Sequence, residues 1–142
     1  MPGAKQYWLI KSEPEVYPYS QLESDRRTEW NGIRNFEARN NLRAMHPGDL
    51  CLYYHTGDEK AVVGIARVLT EAKGDSTAPG EDWAAVDVAP VKALARPVTL
   101  AQLKAHKSLK TFPLVTRPRL SVAPVTAAQF ALVLRLSGTP PP

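Results

Sequence analysis

Short apolar runs bounded by turn residues set the pattern of this chain, and they predict strands more often than helices. Gln6 to Lys11 (QYWLIK) is short, aromatic and apolar, and predicts a strand. It stops at Ser12-Glu13-Pro14, because Pro14 cannot donate to a ladder and disfavours a helical Glu13. Ser20 is placed to cap a brief helix through Glu23. Asn31-Gly32 is a turn signal. Asn35 is a natural N-cap for a helix that carries Ala38, Leu42 and Met45 inward at helical spacing. His46-Pro47-Gly48-Asp49 has Pro and Gly where a type II turn needs them. Asp49 to His55 (DLCLYYH) is nearly all apolar or aromatic, which predicts a strand buried on both sides.

Gly57-Asp58 turns the chain into a β-branched strand, Lys60 to Leu69, in which Gly64 marks a bulge or a close backbone approach. Residues 73–82 (KGDSTAPGED) read as a polar loop. Trp83 to Leu94 returns as a strand, alternating through Ala84, Val86 and Val88. Thr99 with Gln102, and Thr126 with Gln129, have the spacing of capping boxes. Leu120-Ser121-Val122 between those helices predicts another strand. The second helix presents Phe130, Val133 and Leu134 on one stripe and ends at Gly138. Several short strands interrupted by short helices give an α+β, mainly β, fold: a small closed or nearly closed barrel with helical decorations. The expected organisation is one domain over residues 1–138, with a frayed tail from Thr139 to Pro142.

Composition narrows the function classes. The chain has 142 residues, 44% hydrophobic and 23% charged, enough to form a core without a disulfide or metal staple. No apolar run approaches the roughly 20 residues a membrane span needs. Met1 to Lys5 carries no apolar h-region, so no secretory signal is expected. A single cysteine, Cys51, fits a reducing, cytoplasmic setting. Charge is distributed unevenly. Residues 1–87 hold ten Lys/Arg against fourteen Asp/Glu, whereas residues 88–142 hold eight Lys/Arg and no carboxylate side chain. That carboxylate-free segment is either a phosphate footprint or a merely solvated basic face.

Four blocks in order, YWLIKSEP (7–14), WNGIRNFEARNNLRAMHPGD (30–49), YYHTGDEKAVVGIA (53–66) and RLSVAPV (119–125), resemble the EVE family. A weaker echo runs from Trp83 to Lys104. The resemblance implies a PUA-like pseudo-barrel of five or six strands with short packed helices. It also implies a reader of modified nucleic-acid bases, with modified cytosine in DNA as the favoured ligand. A looser similarity to YTH domains, readers of methylated adenine in RNA, touches Lys11-Ser12, Trp30, Asn35, Val63 to Ala66 and Trp83. Asn31, Thr56-Gly57 and Ala123 depart from the commonest EVE form beside the expected pocket, and bear on ligand identity more than on fold.

A base reader must replace a flipped base's lost stacking and satisfy its Watson–Crick edge. Trp30, outside regular structure, is either a pocket wall or a core indole. Asn35 has one amide for two tasks, helix cap and base edge. Ser12 is a candidate base contact or a plain turn hydroxyl. Tyr53, Tyr54 and His55 are consecutive, so Tyr54 points away from the other two; the expectation is that Tyr54 or His55 reaches the pocket. Trp83 is a second cage wall or a core residue. Arg34 either meets a phosphate, buttresses the pocket or is solvated, and Arg119 is a second phosphate candidate. His46, His55 and His106 lack ligand-like spacing, so neither a metal nor any other cofactor is expected. The expected partner is DNA or RNA carrying a modified base, with no membrane involved and no enzymatic activity. Two alternatives stand beside it. One is a hydrolase of acylated bases using Lys11, Ser12 and Glu13, in which strand alternation sets Lys11 and Glu13 on one face. The other is a protein-interaction domain with a vestigial pocket.

Overall fold

A computed structural model describes residues 5–142; residues 1–4, on which most of the expectation about a secretory signal rests, lie outside the described residues. The elements run β1 (Tyr7–Ser12), α1 (Tyr19–Asp25), β2 (Thr28–Trp30), α2 (Phe36–Ala44), β3 (Leu50–His55), β4 (Ala61–Val68) and β5 (Lys73–Gly74). They continue with β6 (Ala84–Thr99), α3 (Leu100–Ala105), a 3-10 turn (Lys107–Leu109), α4 (Pro113–Thr116), β7 (Val122–Val125) and α5 (Ala127–Ser137). Six strands pair in the order β2-β6-β4-β3-β1-β7, and β5 pairs with β6 off this path. Among the described strands only β1 and β3 run parallel. The family resemblance implies a pseudo-barrel of five or six strands. The sheet is a curled half-barrel of six strands plus the short β5, decorated by short helices, and among the described strands its outer two, β2 and β7, do not pair with each other.

Local signals place most of these elements. Asn35 Oδ1 accepts from the Ala38 N–H at 2.9 Å, and Ala38, Leu42 and Met45 are fully buried beneath α2. Both capping boxes form, on Thr99 and Thr126, and Gly138 ends α5 in the left-handed region. Gly64 is a close approach: a Cβ built there would lie 2.5 Å from the Tyr19 ring. The ladder also bulges beside it, with register shifts between Tyr53 and Tyr54 and between Val62 and Gly64.

Elsewhere distant contacts override local signals. Helix α1 is not capped by Ser20, which lies exposed inside it; Pro18 is the N-cap, without a side-chain bond. The cap comes from afar, as His55 Nε2 accepts the Tyr19 N–H at 3.0 Å. The expected 73–82 loop contains β5, pinned to Ala84 and Ala85. Strand β6 begins at Ala84, reaches Thr99, and is buried on both faces from Ala84 to Ala89, so alternation is lost there. The last strand starts at Val122 rather than Leu120, because pairing with β1 selects Val122 to Val125. Thr139, the first residue of the expected frayed tail, is buried, and its Oγ1 accepts from the Ala95 N–H at 2.8 Å.

The sheet separates two cores. Under α1 and α2 lie Trp8, Ile10, Tyr19, Leu22, Trp30 and Tyr53. Under α3, α4 and α5 lie Leu9, Leu52, Tyr54, Ile65, Phe112 and Phe130. Side-chain alternation along β3 therefore sends Tyr53 and Tyr54 into different cores.

Candidate functional site

At the end of β1 the chain cannot continue the ladder, because Pro14 follows, and it bends away over α1. The gap between this bend and β2 is a cavity of about 520 Å³. Lys11, Ser12, Glu13, Val16 and Tyr17 line one side, and residues 28–33 line the other. Its size is within the usual range for small-ligand pockets.

Two of its lining residues, Trp30 and Tyr17, belong to an edge-to-face aromatic stack that continues behind them to the fully buried Tyr53. Trp30 lies 5.4 Å from Tyr53 at 76° and 6.4 Å from Tyr17 at 75° between ring centroids. The Tyr53 hydroxyl donates to the Tyr17 carbonyl at 2.7 Å, and the Ser12 hydroxyl donates to the same carbonyl at 2.8 Å. Burial pushes the Tyr53 hydroxyl well above the ordinary tyrosine range, which keeps it a donor. Among the described residues every fully buried side-chain nitrogen and oxygen has a partner. The indole N–H of Trp30, which has none, therefore reaches solvent, and Trp30 lines the cavity.

The opposite rim, Asn31 to Ile33, is tied down by a buried carboxylate. Asp75 Oδ2 accepts from the Gly32 N–H at 2.8 Å and from Arg34 Nη1 at 2.9 Å. Asp75 Oδ1 accepts from the Thr77 N–H at 2.7 Å. Burial alone would raise this carboxyl, but hydrogen bonds from Thr77, Arg34 and two backbone N–H groups hold it well below the usual range. Arg34 buttresses the rim through Asp75 and Thr77, and its side chain stays 42% exposed.

The predicted residues divide accordingly. Ser12 and Trp30 line the cavity, together with Lys11 and Glu13. Asn35 does not: its Oδ1 is used as the cap, and it lines a neighbouring cleft of about 250 Å³ with Glu37, Arg117, Pro118 and Arg119. The two hollows share a wall, because Lys11 Nζ donates to the Pro118 carbonyl at 2.9 Å. Burial lowers the pKa of that ammonium. Tyr54 is buried in the opposite core and lies away from the cavity. His55 stands behind Tyr53, with Nε2 accepting from Tyr19 and Nδ1 2.8 Å from Glu59 Oε1. These partners fix the Nδ1–H tautomer and a structural task.

Trp83 is also outside the cavity. It stacks on Phe36 at 5.3 Å and 12°, with Arg34 and Arg39 packed against it, and Phe36 remains 66% exposed. Sequence reasoning passes over Tyr17, which lines the cavity, and favours Tyr54 and His55, which do not, while Tyr53 lies packed against Trp30 behind the lining. Alternation separates Tyr53 from Tyr54, but with both faces of β3 buried it does not say which face holds the cavity. Among the described residues no three His, Cys, Asp or Glu side chains cluster in a metal-binding group, and no helix is long and apolar enough to cross a membrane.

The EVE domain family model matches residues 6–136. The chain belongs to the EVE family. Mouse thymocyte nuclear protein 1 is 35% identical over 95% of this EVE chain and 75% of its own length. The crystal structure of Atu2648 from Agrobacterium tumefaciens superposes with a TM-score of 0.93 at 41% identity, covering 96% of each chain. The human THYN1 protein, solved in complex with 5-methylcytosine-containing DNA, superposes at 0.88 with 34% identity, over 96% of this chain and all of that one. The PUA-like fold and the family membership expected from the sequence therefore stand.

Proposed function

We propose that this EVE domain is a non-enzymatic reader that holds a modified base, modified cytosine in DNA foremost, in the cavity between β1 and β2. The observation that carries the reading is the human THYN1 complex with 5-methylcytosine-containing DNA, matched by this chain along nearly its whole length. The cavity chemistry agrees with it. A cytosine edge offers one amine donor and two acceptors, N3 and O2. Ser12 Oγ keeps lone pairs after donating to Tyr17, and can accept from that amine. The Lys11 ammonium and the Trp30 indole N–H can donate to the acceptors. Trp30, braced by Tyr53 and Tyr17, supplies the aromatic surface that offsets unstacking.

The reading is tested by measuring binding to matched oligonucleotides, DNA and RNA, with and without modified cytosine or adenine. Stacking on an aromatic is worth about 1–3 kcal/mol per base, so Trp30→Ala should remove a preference of about 5- to 150-fold. Ser12→Ala, which leaves the aromatic stack intact, should reduce it less. A Trp30→Ala protein that stays folded and binds both forms as wild type does would mean the cavity is vestigial. In that case a protein-interaction role takes the reader's place.

One observation favours a hydrolase of acylated bases as a second reading: Lys11, with its lowered pKa, lines the cavity beside Ser12 and Glu13. Against it, the Ser12 hydroxyl hydrogen is given to Tyr17 and the Lys11 ammonium donates to Pro118. Turnover of an acylated nucleoside that disappears in Lys11→Ala would establish that reading.

A further inference from the structure

The cleft beside the cavity contains an ion pair that the reader role does not use. Glu37 and Asn41 lie four residues apart on one face of α2. Asn41 Nδ2 donates to the Val122 carbonyl at 2.7 Å, which fixes that face against β7. One turn earlier, both Glu37 oxygens meet the Arg117 guanidinium, Nη1 to Oε2 at 2.9 Å and Nη2 to Oε1. Arg119, in the same cleft, has no side-chain hydrogen bond or ion pair among the described residues. Asn35, with Oδ1 used as the cap, has its Nδ2 left to donate. Lys11 spends one of its three N–H donors on Pro118, in the shared wall.

We propose that this cleft is the phosphate seat for the strand that delivers the base, and that the Glu37 carboxylate occupies it at rest as an internal competitor. The inference rests on the reader function. A bidentate carboxylate uses the same two guanidinium donors that a phosphodiester would take, in the same fork. Both side chains of the pair are about half exposed, 51% and 50%, so water can replace either partner as they separate. Displacement changes the local field as well. With Glu37 in place Arg117 is neutralised and Arg119 is the uncompensated charge of the cleft; with Glu37 swung out, both arginines face the phosphate. The cleft therefore limits affinity without regard to the base, while the cavity discriminates between bases.

Equilibrium binding of the whole chain to modified and unmodified oligonucleotides, across a salt series, tests this. Glu37→Gln should tighten both forms by about 3- to 10-fold at low salt and steepen the salt dependence, since the phosphate no longer competes with a carboxylate. Arg117→Gln should weaken both and lower the salt slope by about one. In the double variant Glu37→Gln should give no gain, because the contested guanidinium is absent. The ratio between modified and unmodified forms should stay that of wild type throughout. Unchanged or weaker binding by Glu37→Gln overturns the proposal and leaves the pair as a brace for α2. Absence of oligonucleotide binding by both wild type and Glu37→Gln overturns it too. The two ideas fail separately. If wild type shows no preference for a modified base, the base reading falls, while tightening by Glu37→Gln still supports the seat. If Trp30→Ala removes the preference but Glu37→Gln changes nothing, only the seat is lost.

Discussion

The two sides of the sheet bury aromatic residues for different ends. Under α1 and α2, Tyr17, Tyr19, Trp30, Tyr53 and His55 pack edge to face at 5.2–6.4 Å, and four of the five have their polar tips tied to named partners. Tyr19 donates to the Ile65 carbonyl, Tyr53 to the Tyr17 carbonyl and Tyr17 to Asp25, while His55 caps α1. Under α3, α4 and α5 the core is mostly aliphatic, with Leu9, Leu52, Val62, Leu103 and Leu109 fully buried around Phe112. Hydrogen-bonded aromatics fix ring orientation, whereas close-packed aliphatics maximise apolar area removed from water. The first side sets ring angles next to the proposed base cavity; the second side stabilises the sheet that carries it.

Damage to the aliphatic side should therefore cost stability without touching selectivity. Phe112→Ala removes a fully buried ring and should destabilise the protein by about 4 kcal/mol in urea unfolding. The ratio of affinities for modified and unmodified oligonucleotides should stay that of wild type under conditions where the variant remains folded. A changed ratio would mean that the two cores are coupled through the sheet.

Asp75 tests the cavity side. Asp75→Asn removes the charge that holds Gly32 and Arg34, and should cost about 2 kcal/mol, the loss of charge-assisted hydrogen bonds in a buried site. The sign of its pH dependence follows from the depressed carboxyl. The contribution is complete above the ordinary aspartate range near 3.9 and is lost as pH falls below it toward the folded value. Thermal melts between about pH 6 and pH 2 should therefore fall more steeply for wild type than for Asp75→Asn. Parallel curves would remove Asp75 as the anchor of the rim.

These contrasts also explain what is legible in the sequence. Signals that act within four residues are readable: the Asn35 cap, both capping boxes, the Pro47-Gly48 turn and the Gly138 stop. Gly64 is readable as a close approach, although not what approaches it, because Tyr19 is 45 positions away in the chain. Local spacing misplaces the cap of α1 on Ser20 because its true acceptor, His55, is 36 residues distant. Trp83 is separable from the cavity only through its stack with Phe36, a long-range contact. The family blocks single out Trp30 and Ser12, which do line the cavity, but carry no information on which face of the doubly buried β3 lies toward it.

Adjacent tyrosines on that strand give the smallest and sharpest test. Tyr53 and Tyr54 have the same chemistry, similar burial and neighbouring positions, and differ in the side of the sheet they enter. Tyr53→Phe removes the hydrogen bond to the Tyr17 carbonyl and should cost about 1 kcal/mol. Ser12 still holds that carbonyl, so the stack loosens rather than collapses, and preference for the modified base should fall a few-fold. Tyr54→Phe removes a hydroxyl that makes no protein hydrogen bond among the described residues. No fully buried side-chain oxygen among them lacks a partner, so that hydroxyl already reaches water. Stability of Tyr54→Phe should stay within about 0.5 kcal/mol of wild type, and its selectivity should not change. Equal effects from the two substitutions would break the division between the sides. A loss of selectivity in Tyr54→Phe alone would place the ligand on the other side of β3.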